Sequence, residues 1–228
     1  MKSFILFLTI LSSVFFLTAC EDDSSTQSTD AGKAQVMVVH ASPDAPPVDL
    51  VVDGTVAGSG LAFPQNTGYL EVTAGTRNVQ VNVSGSNPTV TVLQLPVPVE
   101  KDKNYTVFAI DSVANLSVLP VEDDLTAPAA GNAHVRFFHL SPNAPAVDIT
   151  DVAGNIVFGD RAFTEYTDFT PLPAGTYNLQ VRAQGTTTVV LDLPGIVLEN
   201  GKIYTVFARG FLNGTGAQAL NAEIIVNN

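Results

Sequence analysis

Val36–Asp49 reads VMVVHASPDAPPVD and Val135–Asp148 reads VRFFHLSPNAPAVD, with eight identities in fourteen positions. Two more blocks recur behind them in the same order. Ala74–Val81 (AGTRNVQV) matches Ala174–Val181 (AGTYNLQV) at six of eight positions, and YTVFA occurs at 105–109 and again at 204–208. The offsets are 99, 100 and 99, so a unit of roughly 95 residues has been duplicated, with single-residue length changes between the matched blocks.

Each unit reads as strands. Tyr69–Val72 (YLEV), Asn78–Val83 (NVQVNV) and Thr89–Leu95 (TVTVLQL) alternate polar and apolar residues with period two. Turn signals punctuate them at Asp53-Gly54, Ala74-Gly75, Ser84–Pro88 and Lys101–Asn104. Behind the leader, no stretch keeps a helical apolar period for the 10–12 residues that a helix needs. The spacing predicts an all-β protein with about seven short strands per unit, in two tandem immunoglobulin-like or transthyretin-like β-sandwiches. A true immunoglobulin domain is not supported, because the Cys…Trp…Cys signature is missing. The first sandwich is expected over 34–125 and the second over 133–228, joined by a linker at 126–132. The seam Glu122–Asn132 (EDDLTAPAAGN) is acidic and then rich in Pro, Ala and Gly, as an exposed connection would be.

The leader predicts export. Lys2 begins a short positive region, and Phe4–Ala19 is an uncharged, mostly apolar run shorter than the ~20 residues a transmembrane helix needs. Leu17-Thr18-Ala19-Cys20 resembles the lipobox of bacterial lipoproteins, and Cys20 is the one cysteine of the chain. Residues 1–19 are therefore read as a signal peptide and Cys20 as a lipidated N-terminus. Two or three acyl chains would hold stably where one holds only reversibly. Residues 20–33 read as the lipidated Cys and a polar tether of about 20 Å mean reach. The expected address is the bacterial cell envelope, with the outer membrane or cell surface favoured.

Composition narrows the partners. Removing 1–19 takes away one Lys and leaves 9 basic and 22 acidic residues, a net charge of −13. That balance argues against nucleic acid and anionic lipid head groups. With a single cysteine the domains carry no disulfide.

Both units resemble the bacterial family of domain of unknown function 4397. The residues that carry the likeness are His40–Asp49 (HASPDAPPVD), His139–Asp148 (HLSPNAPAVD), the Ala-Gly-Thr and Tyr-Thr-Val blocks, and the linker Asp123–Pro128. The resemblance implies exported or surface-anchored tandem sandwiches and implies no activity.

One constellation, His-x-Ser-Pro-(Asp/Asn)-Ala-Pro-x-Val-Asp, offers chemistry. Read structurally, His40 follows Val36 and Val38 on one strand face, closes the core and bonds a turn carbonyl or carboxylate. Pro43 and Pro46 then fix the backbone, and Asp44 or Asn143 caps the turn. Read functionally, His40, Asp44 and Asp49, with His139 and Asp148 in the second unit, are candidate binding residues for a glycan or divalent metal. Asn143 in place of Asp44 would break a carboxylate-dependent set. Ser42 beside His40 is the weakest option, a nucleophile and its base. Zincin, hydrolase-elbow, phosphate-loop and dinucleotide motifs are missing from the sequence, as is any cysteine cluster. Glu122-Asp123-Asp124 reads as a solvated charge run ahead of a calcium site. The expectation is a non-catalytic envelope lipoprotein acting in adhesion, assembly or display. It needs no cofactor, is held on a membrane by lipid and has an envelope protein or glycan as partner.

Overall fold

The computed structural model describes residues 31–228. The expected signal peptide at 1–19, Cys20 and all but the end of the expected tether lie outside the described residues. Among those described, no helix is long and apolar enough to cross a membrane.

The first repeat contains β1 (Lys33–His40), β2 (Val48–Val52), β3 (Thr55–Leu61), β4 (Asn66–Thr73), β5 (Gly75–Val83), β6 (Thr91–Val99), β7 (Asn104–Ile110) and β8 (Ser117–Glu122). The second contains β9 (Asn132–His139), β10 (Val147–Asp151), β11 (Ile156–Arg161), β12 (Thr170–Pro173), β13 (Gly175–Ala183), β14 (Val189–Leu198), β15 (Ile203–Arg209) and β16 (Asn221–Val226). Each repeat thus has eight strands and not about seven, and Lys33 belongs to β1 and not to the tether.

The protein is all-β, and the repeats share one topology. Sheets ordered β4-β1-β7-β8 and β3-β2-β5-β6 form the first sandwich, and β12-β9-β15-β16 and β11-β10-β13-β14 form the second. The β1–β7 and β9–β15 pairs are parallel, while every other named pair is antiparallel. Asp53-Gly54 makes the two-residue β2–β3 turn, with φ of 49° and 80°, the left-handed pair that matches strand twist. Several edge strands carry proline, which cannot donate to an added strand: Pro96 and Pro98 in β6, Pro120 in β8, Pro171 and Pro173 in β12, and Pro194 in β14.

Three apolar layers follow from the alternation of side chains. Ala34, Val38, Leu50, Val81 and Val107 fill the first sandwich, and Val135, Phe137, Ile149, Val181 and Leu198 fill the second. The third layer lies between the sandwiches, where Met37, Val39, Phe108 and Val121 meet Phe138, Leu140, Phe207 and Ile225. Phe108 stands 4.7 Å from Phe138 and 5.8 Å from Phe207, ring centre to ring centre. All three rings are fully buried, and each such burial contributes about 1.5–3 kcal/mol. The repeats are therefore packed face to face. Strands β1 and β9 bury both faces at their C-terminal ends, which is why Val36–Val39 and Val135–Phe138 read as runs and not as alternation.

Candidate functional site

The His-Ser-Pro segment is the corner at which the chain leaves one sheet and enters the other. It follows β1 in the β4-β1-β7-β8 sheet and delivers β2 to the β3-β2-β5-β6 sheet; the second repeat does the same from β9 to β10. His40 Nε2 lies 3.2 Å from the Pro46 carbonyl, and His139 Nε2 lies 2.9 Å from the Pro145 carbonyl. A carbonyl only accepts, so Nε2 carries the proton in each ring. Both rings are buried. Burial lowers each His pKa from 6.5, opposed in part by the carbonyl bond, so both are neutral at pH 7.

The other motif residues also serve the corner. Asp44 Oδ1 accepts from Val113 N and Asn143 Oδ1 accepts from Leu212 N, both at 2.8 Å. An amide oxygen does this as a carboxylate does, so the Asp/Asn difference leaves the contact intact. Asp49 Oδ1 accepts from Gly60 N at 2.8 Å, and Asp148 Oδ1 from Asp160 N at the same distance, tying β2 to β3 and β10 to β11. Asp148 Oδ2 accepts a further bond from Gly185 N in the β13–β14 hairpin. Ser42 and Ser141 are buried beside them. Ser141 Oγ donates to the Gly210 carbonyl at 2.6 Å, whereas Ser42 Oγ has no hydrogen-bond partner among the described residues. Among the described residues no three His, Cys, Asp or Glu side chains converge on a point that could hold a metal ion.

A second polar cluster sits in the layer between the repeats, and sequence reading missed it. Asp123 is not part of a solvated run. Its backbone continues the ladder onto Asn104, so Glu122 and Asp124 face solvent and Asp123 faces in. Arg136 Nη2 lies 2.6 Å from Asp123 Oδ1, with the side chains 2% and 0% exposed. Asp123 Oδ2 accepts from the Thr106 and Tyr69 hydroxyls, each at 2.6 Å. Arg136 Nε donates to Thr205 Oγ1, which donates to Asn227 Oδ1, both at 2.8 Å, and Asn227 Nδ2 donates to the Tyr69 oxygen at 3.1 Å. Phe169 and Phe138 cover the guanidinium, their centres 4.3 and 4.9 Å from Cζ. Burial, and then the adjacent Asp123 charge, push the Tyr69 phenol pKa upward, so it stays a donor. The available signal was Arg136 itself, a charge inside the run Val135–Phe138.

Cavities are modest. The sandwich cores enclose voids of about 20 and 60 Å³, room for a water and not for a substrate. An open groove of about 410 Å³ runs between edge strands β3 and β4, lined by Asp53, Leu70, Glu71 and Arg77. Its charges are internally paired, Arg77 with Asp53 and Glu71 with Lys33. A smaller groove of about 190 Å³ lies at the seam beside Tyr166, Asp168 and Asp124.

Two copies of one eight-stranded sandwich, packed through an outer sheet face with the repeated motif at the sheet corners, define an all-β tandem-repeat protein. The chain belongs to the family of domain of unknown function 4397, whose model matches residues 34–150 and again 151–226. No curated protein matches the chain. Among solved structures it is similar to the carbohydrate-binding module CBMbc of family 26 from Eubacterium rectale Amy13K, in complex with maltoheptaose. The identity is 9% and the TM-score 0.27, over 84% of this chain and 96% of that one. So distant a likeness assigns this chain no ligand.

Proposed function

We propose that this protein is a non-catalytic lipoprotein of the bacterial envelope, anchored through lipid on Cys20. It presents the double sandwich for adhesion, assembly or display at the outer membrane or cell surface. The observation that carries the reading is how the one repeated constellation of reactive side chains is used. Both His rings are buried donors to proline carbonyls, and Asp44, Asn143, Asp49 and Asp148 accept from backbone amides. Those atoms hold corners together. The anchor part of the reading is supported by Leu17-Thr18-Ala19-Cys20 and by the polar residues that follow.

Glycan or metal binding at the corners would have to displace these internal bonds, which makes it the weaker alternative. The test joins both parts of the proposal. The Cys20→Ala variant should fold, lose incorporation of labelled palmitate and leave the membrane fraction. Sedimentation of that variant with membranes would remove the anchor from the account. Turnover of a hydrolase panel by the mature protein, abolished in His40→Ala while the fold survives, would remove the non-catalytic reading.

A further inference from the structure

The layer between the repeats is chemically lopsided at positions that the duplication relates. Met37 pairs with Tyr69 across β1–β4, and the equivalent places in the second repeat hold Arg136 and Phe169. Thr106 corresponds to Thr205, and the β7–β8 and β15–β16 registers make Asp123 correspond to Asn227. The first repeat therefore brings a buried anion with two hydroxyl donors to it. The second brings a buried cation and a neutral amide.

We propose that this set of side chains is a pairing code: it selects the second repeat as partner for the outer sheet face of the first, and excludes another copy of either. The apolar part of the layer does not discriminate, because Phe108 and Phe207, and Val121 and Ile225, occupy equivalent positions. The charges do. Two first repeats packed through this face would bury two Asp123 carboxylates opposite two Met37 side chains, with no cation. Two second repeats would bury two Arg136 guanidinium groups opposite two Asn227 amides, with no carboxylate. Either pairing leaves desolvated charge without an opposite charge, an arrangement strongly disfavoured in a protein interior. In the first–second pair every charge is answered: Arg136 by Asp123, and Asp123 also by Tyr69 and Thr106.

The experiment uses the whole chain with a site-specific protease sequence placed within residues 126–131, between β8 and β9. After cutting, the halves should stay together, and native mass spectrometry should find only first–second pairs after prolonged incubation. Arg136→Met leaves Asp123 buried and unpaired, and should weaken re-association by roughly a hundredfold or more. Arg136→Met with Asp123→Asn removes both charges and keeps the apolar layer. The halves should then still associate, but first–first and second–second pairs should appear as well. Pairs of like halves from the unsubstituted chain, or an exclusively first–second mixture from the neutral double variant, would overturn the proposal. So would separation of the unsubstituted halves on cutting.

Discussion

The two repeats agree at their corners and differ at their common face. His40 and His139 make the same bond to a proline carbonyl six residues on, and Asp44 and Asn143 accept the same kind of amide bond from the loop beyond β7 or β15. Across the shared layer, Met37 against Arg136, Tyr69 against Phe169 and Asp123 against Asn227 have no such agreement. A corner is solved within one repeat, so each copy needs the same residues. A face between two copies is solved once per pair, and a cation on one side calls for an anion on the other and not for a second cation.

The largest effect should come from breaking the asymmetry of that face. Arg136→Met places the first repeat's residue in the second and strands Asp123, which should cost about 3–5 kcal/mol in urea unfolding. Adding Asp123→Asn should recover much of that loss, so the two changes should be far from additive in a double-mutant cycle. Equal and additive losses would mean that the pair is not coupled across the repeats.

An intermediate effect belongs to the corners and should appear in both repeats alike. Because the folded pKa values of His40 and His139 lie below 6.5, the unfolded chain takes up protons first as pH falls. Their contribution is present above pH 6.5 and is lost as pH drops toward the folded values. Melting temperatures measured from pH 8 downward should fall through this window, and a His40→Gln/His139→Gln variant should show a shallower decline.

Smaller effects separate the two corners. Ser141→Ala removes a buried bond to the Gly210 carbonyl and should cost about 1 kcal/mol, whereas Ser42→Ala removes a hydroxyl without a hydrogen-bond partner and should be near neutral. Asn143→Asp should change stability least, within about 0.5 kcal/mol, since either side chain offers an oxygen to Leu212 N. Chemical denaturation of the three variants in parallel would rank them.

Much of the fold was legible because it is local. Period-two alternation, Asp53-Gly54 and the repeat offset each depend on neighbours in sequence, and they correctly indicated tandem all-β sandwiches. The third apolar layer was not legible in the same way. Alternation in β1 and β9 ends where both faces become buried, and Val36–Val39 and Val135–Phe138 look like ordinary core runs until a second sheet is known to cover them. Glu122-Asp123-Asp124 misled for a related reason: a continued strand turns the middle residue inward, and composition carries no record of which residue that is. The YTVFA match across the repeat was informative for Phe108 and Phe207, both fully buried. It was silent on Phe137 and Phe138, which are equally buried without aromatic counterparts. The candidate site was legible as a turn, since prolines spaced around a histidine constrain the backbone whatever the chemistry. The use of the Asp44 and Asn143 oxygens depends on loops 69 residues away.

The repeats form one body through their shared layer, where Phe108 packs against Phe138 and Phe207. Differential scanning calorimetry of the chain from residue 20 onward reads that coupling as the number of transitions. A single transition is expected for residues 31–228, with calorimetric and van't Hoff enthalpies in agreement. Two resolved transitions, one for each sandwich, with Arg136→Met shifting neither, would contradict it.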